Sequence, residues 1–448
     1  MEICTVGGYE EVGKNMTAIK IKEDVIIIDA GVYLPPLMDL EESETKEKMS
    51  VEKLRRIKAL PDDFVLDKLG WRDKVRAIII SHAHLDHVGA VPYIARRYPN
   101  ATIYATPFTI AVLNKILEDE KIHLKNHKRI IPPNSSFVIK GKSDSYKVDF
   151  IHVTHSTLQC VFPVIYTKEG NIVYTLDFKF DNFPTMESPP NYRKMQEVAR
   201  KGVKVLIADS LYSGTDRKTP SERVARDLLE DAFSVAMKDK NSAFFITTFS
   251  SHISRIKSIV EFAKKTKREI VIMGRSMNKY ISAARSINKG PFKHNIKLLK
   301  YKKQINSFLR KVDRNRGRYL VICTGHQAER GSIMDRLVKG DTPFNFKSGD
   351  NVIFASSVIP TPSSIINRDK MDKKLRSKGV RVQTDIHVSG HASRGDLREL
   401  LGIFKPKHII PAHGSLQQEA PMIELANEFG YKFGETSHLS SDGKVLSF

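Results

Sequence analysis

The chain has 448 residues, of which 41% are hydrophobic and 28% charged, a composition that suits two or three packed domains. No run of roughly 18 apolar residues occurs, which argues against a membrane-spanning helix, and Met1 to Val6 lacks the basic-then-apolar order of a secretory signal. Lys and Arg number 73 against 51 Asp and Glu, a net charge of +22, and such an excess points to a polyanionic partner, nucleic acid being the commonest.

Along the chain, Thr17 to Ile21 and Val25 to Ile28 read as a hairpin ending at Asp29-Ala30-Gly31. Residues 37 to 70 are charged, with a helical centre near Val51 to Ile57, and read as a surface insertion. Val75 to Ile80 is a buried strand that runs directly into His82-Ala83-His84-Leu85-Asp86-His87. Val148 to Val153, Ile172 to Leu176 and Val203 to Ala208 are further strands, leading to His155, Asp177 and Asp209. His152 lies three positions from His155 and so faces the other way on a strand. Cys4, Cys160 and Cys323 are far apart and show no Cys-x-x-Cys spacing, which fits a reducing cytoplasm.

The rhythm then changes. Ser221 to Lys238 has helical spacing with Ser221 as N-cap. Ala243 to Thr247 reads as a strand, His252 to Lys264 as a helix, Glu269 to Met273 as a strand. Tyr319 to Cys323 is a strand, Glu329 to Val338 a helix, Val352 to Ala355 a strand. This alternation predicts a parallel sheet flanked by helices. Ligands of such sheets bind at the carboxyl ends of strands, which here carry Ser251, Thr324-Gly325 and Ser356-Ser357, residues suited to phosphate. Basic runs such as 264–268 and 310–316 read singly as solvated faces. From Arg381 the earlier pattern returns, with Asp385 to His391 and His408 to His413 each read as a short strand ending in histidine.

His82-x-His84-x-Asp86-His87 places four metal-ligating residues in six positions beyond a strand, a strong metal signal. His155, Asp177, His391 and His413 are further candidates at strand ends, and a carboxylate between two histidine sets can bridge two cations. The run, followed by Gly89-Ala90-Val91-Pro92-Tyr93, resembles the second motif of the metallo-β-lactamase superfamily. Asp29, His155 and Asp177 match the first, third and fourth motifs. Asp177 and His413 are 236 positions apart, with the strand-helix unit between them, an arrangement that resembles the β-CASP nucleases. In that group Asp209, His391 and His413 match motifs A, B and C. Thr247 to Arg255, Gly274-Arg275-Ser276-Met277, Val388 to Ser393 and Pro411 to Gly414 are similar to the ribonuclease J family. His252, His326 and Ala328 depart from its pattern, in segments that bear on RNA grip rather than metal chemistry.

The resemblance implies an α/β fold, a metallo-β-lactamase αββα sandwich over 1–210 and 371–448 with an inserted β-CASP domain over 211–370. It implies two Zn2+ per chain, one held by His82, His84 and His155, the other by Asp86, His87 and His413, with Asp177 bridging and Asp29 orienting a ligand from behind. Asp86, His391 and Asp209 are the expected catalytic residues, His391 contacting the scissile phosphate with Asp209 supporting it. RNA or phosphate contacts are expected from Ser251, Arg255, Thr324, Gly325, Ser356, Ser357, Ser389, Gly390 and His391. The activity implied is 5′-to-3′ exonucleolysis of single-stranded RNA, favouring 5′-monophosphate ends. The rivals are a β-CASP endoribonuclease of the cleavage-and-polyadenylation type, a small-molecule hydrolase and an inactive RNA-binding scaffold. Thirty-five residues follow His413, so the extra C-terminal domain of bacterial members is expected to be absent; the chain is similar to archaeal members, and a homodimer stays open.

Overall fold

The computed structural model describes residues 1–38, 50–290, 296–359 and 362–448, with the side chains of 362 and 363 outside that description. Two mixed sheets stack face to face. The first has seven strands, in the order Lys444–Ser447, Glu2–Gly7, Met16–Ile21, Asp24–Ile28, Val75–Ile80, Thr102–Ala105 and Lys128–Ile130. The second has six, in the order His408–Ala412, Val203–Asp209, Asn171–Thr175, Val161–Ile165, Ser145–His152 and Ser136–Lys140. The expected hairpin forms, Ala18 pairing with Ile27 and Ile19 with Ile26.

Strict alternation explains why the central strands Asp24–Ile28 and Val75–Ile80 are almost wholly apolar. Ile26, Ile28, Ala77 and Ile79 point to the second sheet, against Phe150, Ile172 and Ile207. Val25, Ile27, Ile78 and Ile80 point the other way, into the layer that holds Val91, Ile94 and Leu113. A sheet covered on both faces needs such runs. Residues 39–49 of the expected surface insertion lie outside the described residues. The part from 50 to 70 is not a surface feature: Leu54, Leu60 and Leu66 are buried, and Asp63 takes Arg55 and Arg97 at 2.7 Å each.

The third sheet is wholly parallel: Lys297–Leu299, Glu269–Met273, Tyr319–Cys323, Phe244–Thr247, Asn351–Phe354 and Arg381–Gln383. Helix Pro362–Ser377 spans residue 370, and the edge strand Arg381–Gln383, beyond that position, pairs with Asn351–Ile353. The expected strand from Asp385 to His391 is absent; that segment is irregular and passes from the third sheet to helix Arg394–Phe404. The helix expected from Glu329 begins instead at Ile333, where the Ser332 side chain accepts from Asp335 N.

Arg255 welds the inserted unit to the sandwich. It is fully buried, and its guanidinium donates to Glu222 Oε1 at 2.5 Å and Oε2 at 2.8 Å, to Ala355 O at 2.9 Å and to Ile386 O at 3.1 Å. Glu222 in turn donates its backbone N–H to Asp181 of the sandwich at 2.7 Å. This corrects the expectation that Arg255 binds RNA: its donors are committed inside the protein. Burial pushes the Glu222 carboxyl up, but Arg255 and His252 outweigh it and bring it from the ordinary 4.5 down to about 2. The stability Glu222 contributes is therefore present above about pH 4.5 and lost as pH falls towards 2. Arg255→Met leaves a buried, unpaired carboxylate and should cost about 3–5 kcal/mol in urea unfolding. An unchanged unfolding midpoint would show that the pair does not hold the junction.

Candidate active site

Every element that feeds the site ends at the same edge of the sandwich. Asp29, His82, Asp177, Asp209 and His413 follow or close the strands Asp24–Ile28, Val75–Ile80, Asn171–Thr175, Val203–Asp209 and His408–Ala412. Asp29, Asp177 and His413 have φ of 60°, 54° and 61°, left-handed values that non-glycine residues adopt at a cost and that cluster at functional sites. Gly31 permits the close approach of two of these loops, since a Cβ there would lie 1.6 Å from Asp86 O.

Three imidazoles form one set. His84 Nδ1 lies 3.2 Å from His82 Nε2 and 2.9 Å from His155 Nε2. The outer nitrogen of each ring has its own partner: His82 Nδ1 meets Ser81 Oγ at 3.0 Å, His84 Nε2 meets Ser251 Oγ at 3.0 Å, and His155 Nδ1 donates to Gly390 O at 2.7 Å. The inner nitrogens are left facing one another, as ligating imidazoles are held by outer partners. Burial, reinforced by neighbouring histidines, lowers the pKa of His82, His84 and His155, so they are neutral donors. The second set is Asp86, His87 and His413, with ligand atoms within 4.8 Å of one another.

Asp177 joins the two sets. Its Oδ2 lies 3.4 Å from His82 Nε2 and 3.5 Å from His155 Nε2. Its Oδ1 lies 3.2 Å from His87 Nε2 and 3.7 Å from His413 Nδ1, yet it is buried without a hydrogen-bond partner. Burial works against the charged carboxylate, but His413, His87 and His391 hold it ionised well below the usual range. A buried carboxylate oxygen without a hydrogen-bond partner, facing converging imidazole nitrogens, has the chemistry of a cation site, so the residues fit a metal pair.

Behind them, Asp29 Oδ2 accepts from His87 Nδ1 at 2.7 Å and from Ser81 Oγ at 2.8 Å, while Oδ1 accepts from Ser81 N at 2.8 Å. Ser81 and Asn15 escaped the sequence reading. The Asn15 amide lies between His87 Nε2 at 3.0 Å and His413 Nδ1 at 3.1 Å; Gly-Lys-Asn between two strands reads as a plain turn. His152 does face away, as expected, towards Ser188 O at 2.9 Å.

His391 closes the cluster. Its Nδ1 donates to Asp209 Oδ2 at 3.0 Å, its Nε2 lies 3.8 Å from Asp177 Oδ2, and its ring stacks on His413 with centroids 5.2 Å apart. Burial opposes its charge, but Asp177 and Asp209 raise its pKa from 6.5 to about 9. Ser389 Oγ accepts from His391 N at 3.0 Å. A Cβ on Gly390 would lie 2.7 Å from Ser156 Oγ and 3.1 Å from His155 Cε1.

The remaining expected contacts fall at the carboxyl edge of the third sheet. Ser356 Oγ is buried without a hydrogen-bond partner, and so are both ring nitrogens of His326, a residue the sequence marked only as a departure, whose Nδ1 lies 3.6 Å from Glu329 Oε1. Thr324 is half-buried and Ser357 exposed. Gly325 (φ 114°) turns the chain against Met334 and Ser332. The Phe249 ring links this group to the segment that carries Ser251, its centroid 4.2 Å from that of His326.

A two-sheet sandwich with His-x-His-x-Asp-His at one strand end, interrupted by a parallel-sheet domain, defines the metallo-β-lactamase superfamily and its β-CASP branch. Family models agree: the metallo-beta-lactamase superfamily matches residues 9–235, the ribonuclease J beta-CASP domain 241–371, and the Zn-dependent metallo-hydrolase RNA specificity domain 379–433. Ribonuclease J of Methanocaldococcus jannaschii is 38% identical over 100% of this chain and 99% of its own length, and that of Pyrococcus abyssi 38% identical over 100% and 97%. Ribonuclease J of Mycoplasma genitalium is 28% identical over 99% of this chain and 73% of its own. A crystal structure of an Enterococcus faecalis protein of unknown function shares the fold, with a TM-score of 0.64 at 17% identity over 99% of both chains. The chain belongs to the ribonuclease J family.

Asp29→Asn keeps the shape behind His87 but removes the charge. It should weaken metal binding by about 10–100-fold in chelator competition. Wild-type affinity in that variant would reduce Asp29 to a packing residue.

Proposed function

We propose that the chain is a ribonuclease that hydrolyses phosphodiester bonds of single-stranded RNA with two Zn2+, degrading it from the 5′ end towards the 3′ end and favouring a 5′-monophosphate. The observation that carries the reading is the split of Asp177, one oxygen towards each set of imidazoles. His82, His84 and His155 would hold one ion and Asp86, His87 and His413 the other, with Asp177 between. Two cations in such a site neutralise phosphoryl oxygens and make hydroxide available at neutral pH.

The chain's own groups do the rest. His391, at about 9, is protonated at neutral pH. Asp209 fixes its Nδ1, so Nε2 carries a proton for the scissile phosphate and the leaving 3′ oxygen. Ser389 steadies that loop. The unpartnered Ser356 Oγ and His326 nitrogens, with Thr324, Gly325 and Ser357, offer donors for a 5′-phosphate. This second polar group, across the Phe249 segment from the metal cluster, supports attack near an anchored 5′ end rather than at random internal bonds. The +22 charge and the names of the relatives support RNA as the polymer. Free, buried Cys4, Cys160 and Cys323 support a cytoplasmic setting, and among the described residues no helix is long and apolar enough to cross a membrane.

Digestion of RNAs carrying 5′-monophosphate, 5′-triphosphate or 5′-hydroxyl ends tests the direction. Mononucleotides should appear without lag, fastest from the monophosphate; a ladder of internal cuts would favour the endonuclease instead. Asp86→Ala should abolish hydrolysis while RNA binding persists in gel shift. His326→Ala should raise KM for 5′-monophosphate RNA by about 10-fold or more and leave 5′-hydroxyl RNA unaffected. An equal effect on both would remove the pocket from the reading.

A further inference from the structure

We infer that the inserted domain completes the metal site, and that Ser251 is the positioning residue through which it does so. The inference rests on the metal reading above. His82 finds its outer partner on the adjacent Ser81 and His155 on the backbone of Gly390. His84 finds its partner on the other domain: Nε2 meets Ser251 Oγ at 3.0 Å.

Ser251 lies just beyond strand Phe244–Thr247 of the third sheet, is buried, and precedes helix Ile253–Lys265, which Arg255 locks in place. An imidazole with Nε2–H donated to a serine oxygen keeps its Nδ1 lone pair free. That lone pair points where His82 Nε2 and His155 Nε2 converge.

A second contact reaches the same loop. Tyr280, buried on helix Arg275–Ser286, donates its hydroxyl to Ala83 O at 3.1 Å. Ala83 is the residue between His82 and His84. The two contacts fix both the ring and the backbone of the His-x-His turn from the inserted side. Anything that draws the inserted domain away from the sandwich therefore loosens a ligand.

Zinc competition with a chromophoric chelator on the full-length wild type, Ser251→Ala, Ser251→Thr and Tyr280→Phe, with melting of each metal-free protein, tests this. Ser251→Ala should weaken one of two zinc sites by about 10–100-fold, while Ser251→Thr, which keeps the hydroxyl, stays within a few-fold of wild type. Tyr280→Phe should show a smaller loss, and the metal-free melting temperatures should coincide. Ser251→Ala with wild-type zinc affinity overturns the inference, the more so if it loses preference for 5′-monophosphate RNA, which would make Ser251 a phosphate contact. Equal loss in the Ala and Thr variants together with lowered melting also overturns it, by reducing Ser251 to a packing residue. A wild type that takes up no zinc overturns the metal reading itself.

Discussion

A carboxylate buried at the junction of two sheets is the constraint on which the rest of this molecule depends. Asp177 is 1% exposed, and an ionised carboxylate so deeply buried costs several kcal/mol unless positive charge and donors surround it. Five imidazoles from four separate stretches of chain are brought to it: His82 and His87, His155, His391 and His413. Those rings are useful only in fixed orientations, which is the work of Ser81, Asp29, Asp209 and Gly390 around them.

The fold meets that constraint by ending strands of both sheets at one edge and turning the chain sharply there. The left-handed backbone at Asp29, Asp177 and His413 is local strain held in place by the packed sandwich beneath it. The inserted unit adds a buried ion pair, Arg255 with Glu222, which fixes a geometry while desolvation offsets much of its attraction. Holding the two bodies in one register lets Ser251 reach His84 and places the unpartnered donors of His326 and Ser356 on the same side as the metal cluster.

Much of this was legible in the residues. The His82 to His87 run, the strands leading to it, and the long separation of Asp177 from His413 carried the fold, the inserted unit and the metal candidates, because ligand types at short spacing beyond a buried strand are rare by chance. Most strand limits came within a residue or two, since alternation and apolar runs are local signals, but the strand read from Val148 begins at Ser145 and the one read from Asp385 to His391 does not form. Arg255 was misread for a physical reason: a basic residue in a phosphate-binding segment looks the same whether its partner is RNA or Glu222, which lies 33 positions away in the chain. Arg381–Gln383 was not read as a strand because a short edge strand is defined by its pairing, not by its composition.

The sequence by itself determined which residues can ligate, which strands carry them and that a second domain interrupts the first, since these follow from residue chemistry and periodicity along the chain. Only the tertiary structure decided which nitrogen of each histidine faces inward, that Asn15 and Ser81 hold the rings, that Arg255 is internal, and that Ser251 serves His84. These are facts of direction and contact between residues as far apart as 398 positions, and hydrogen bonds of about 3 Å leave no trace in a linear pattern.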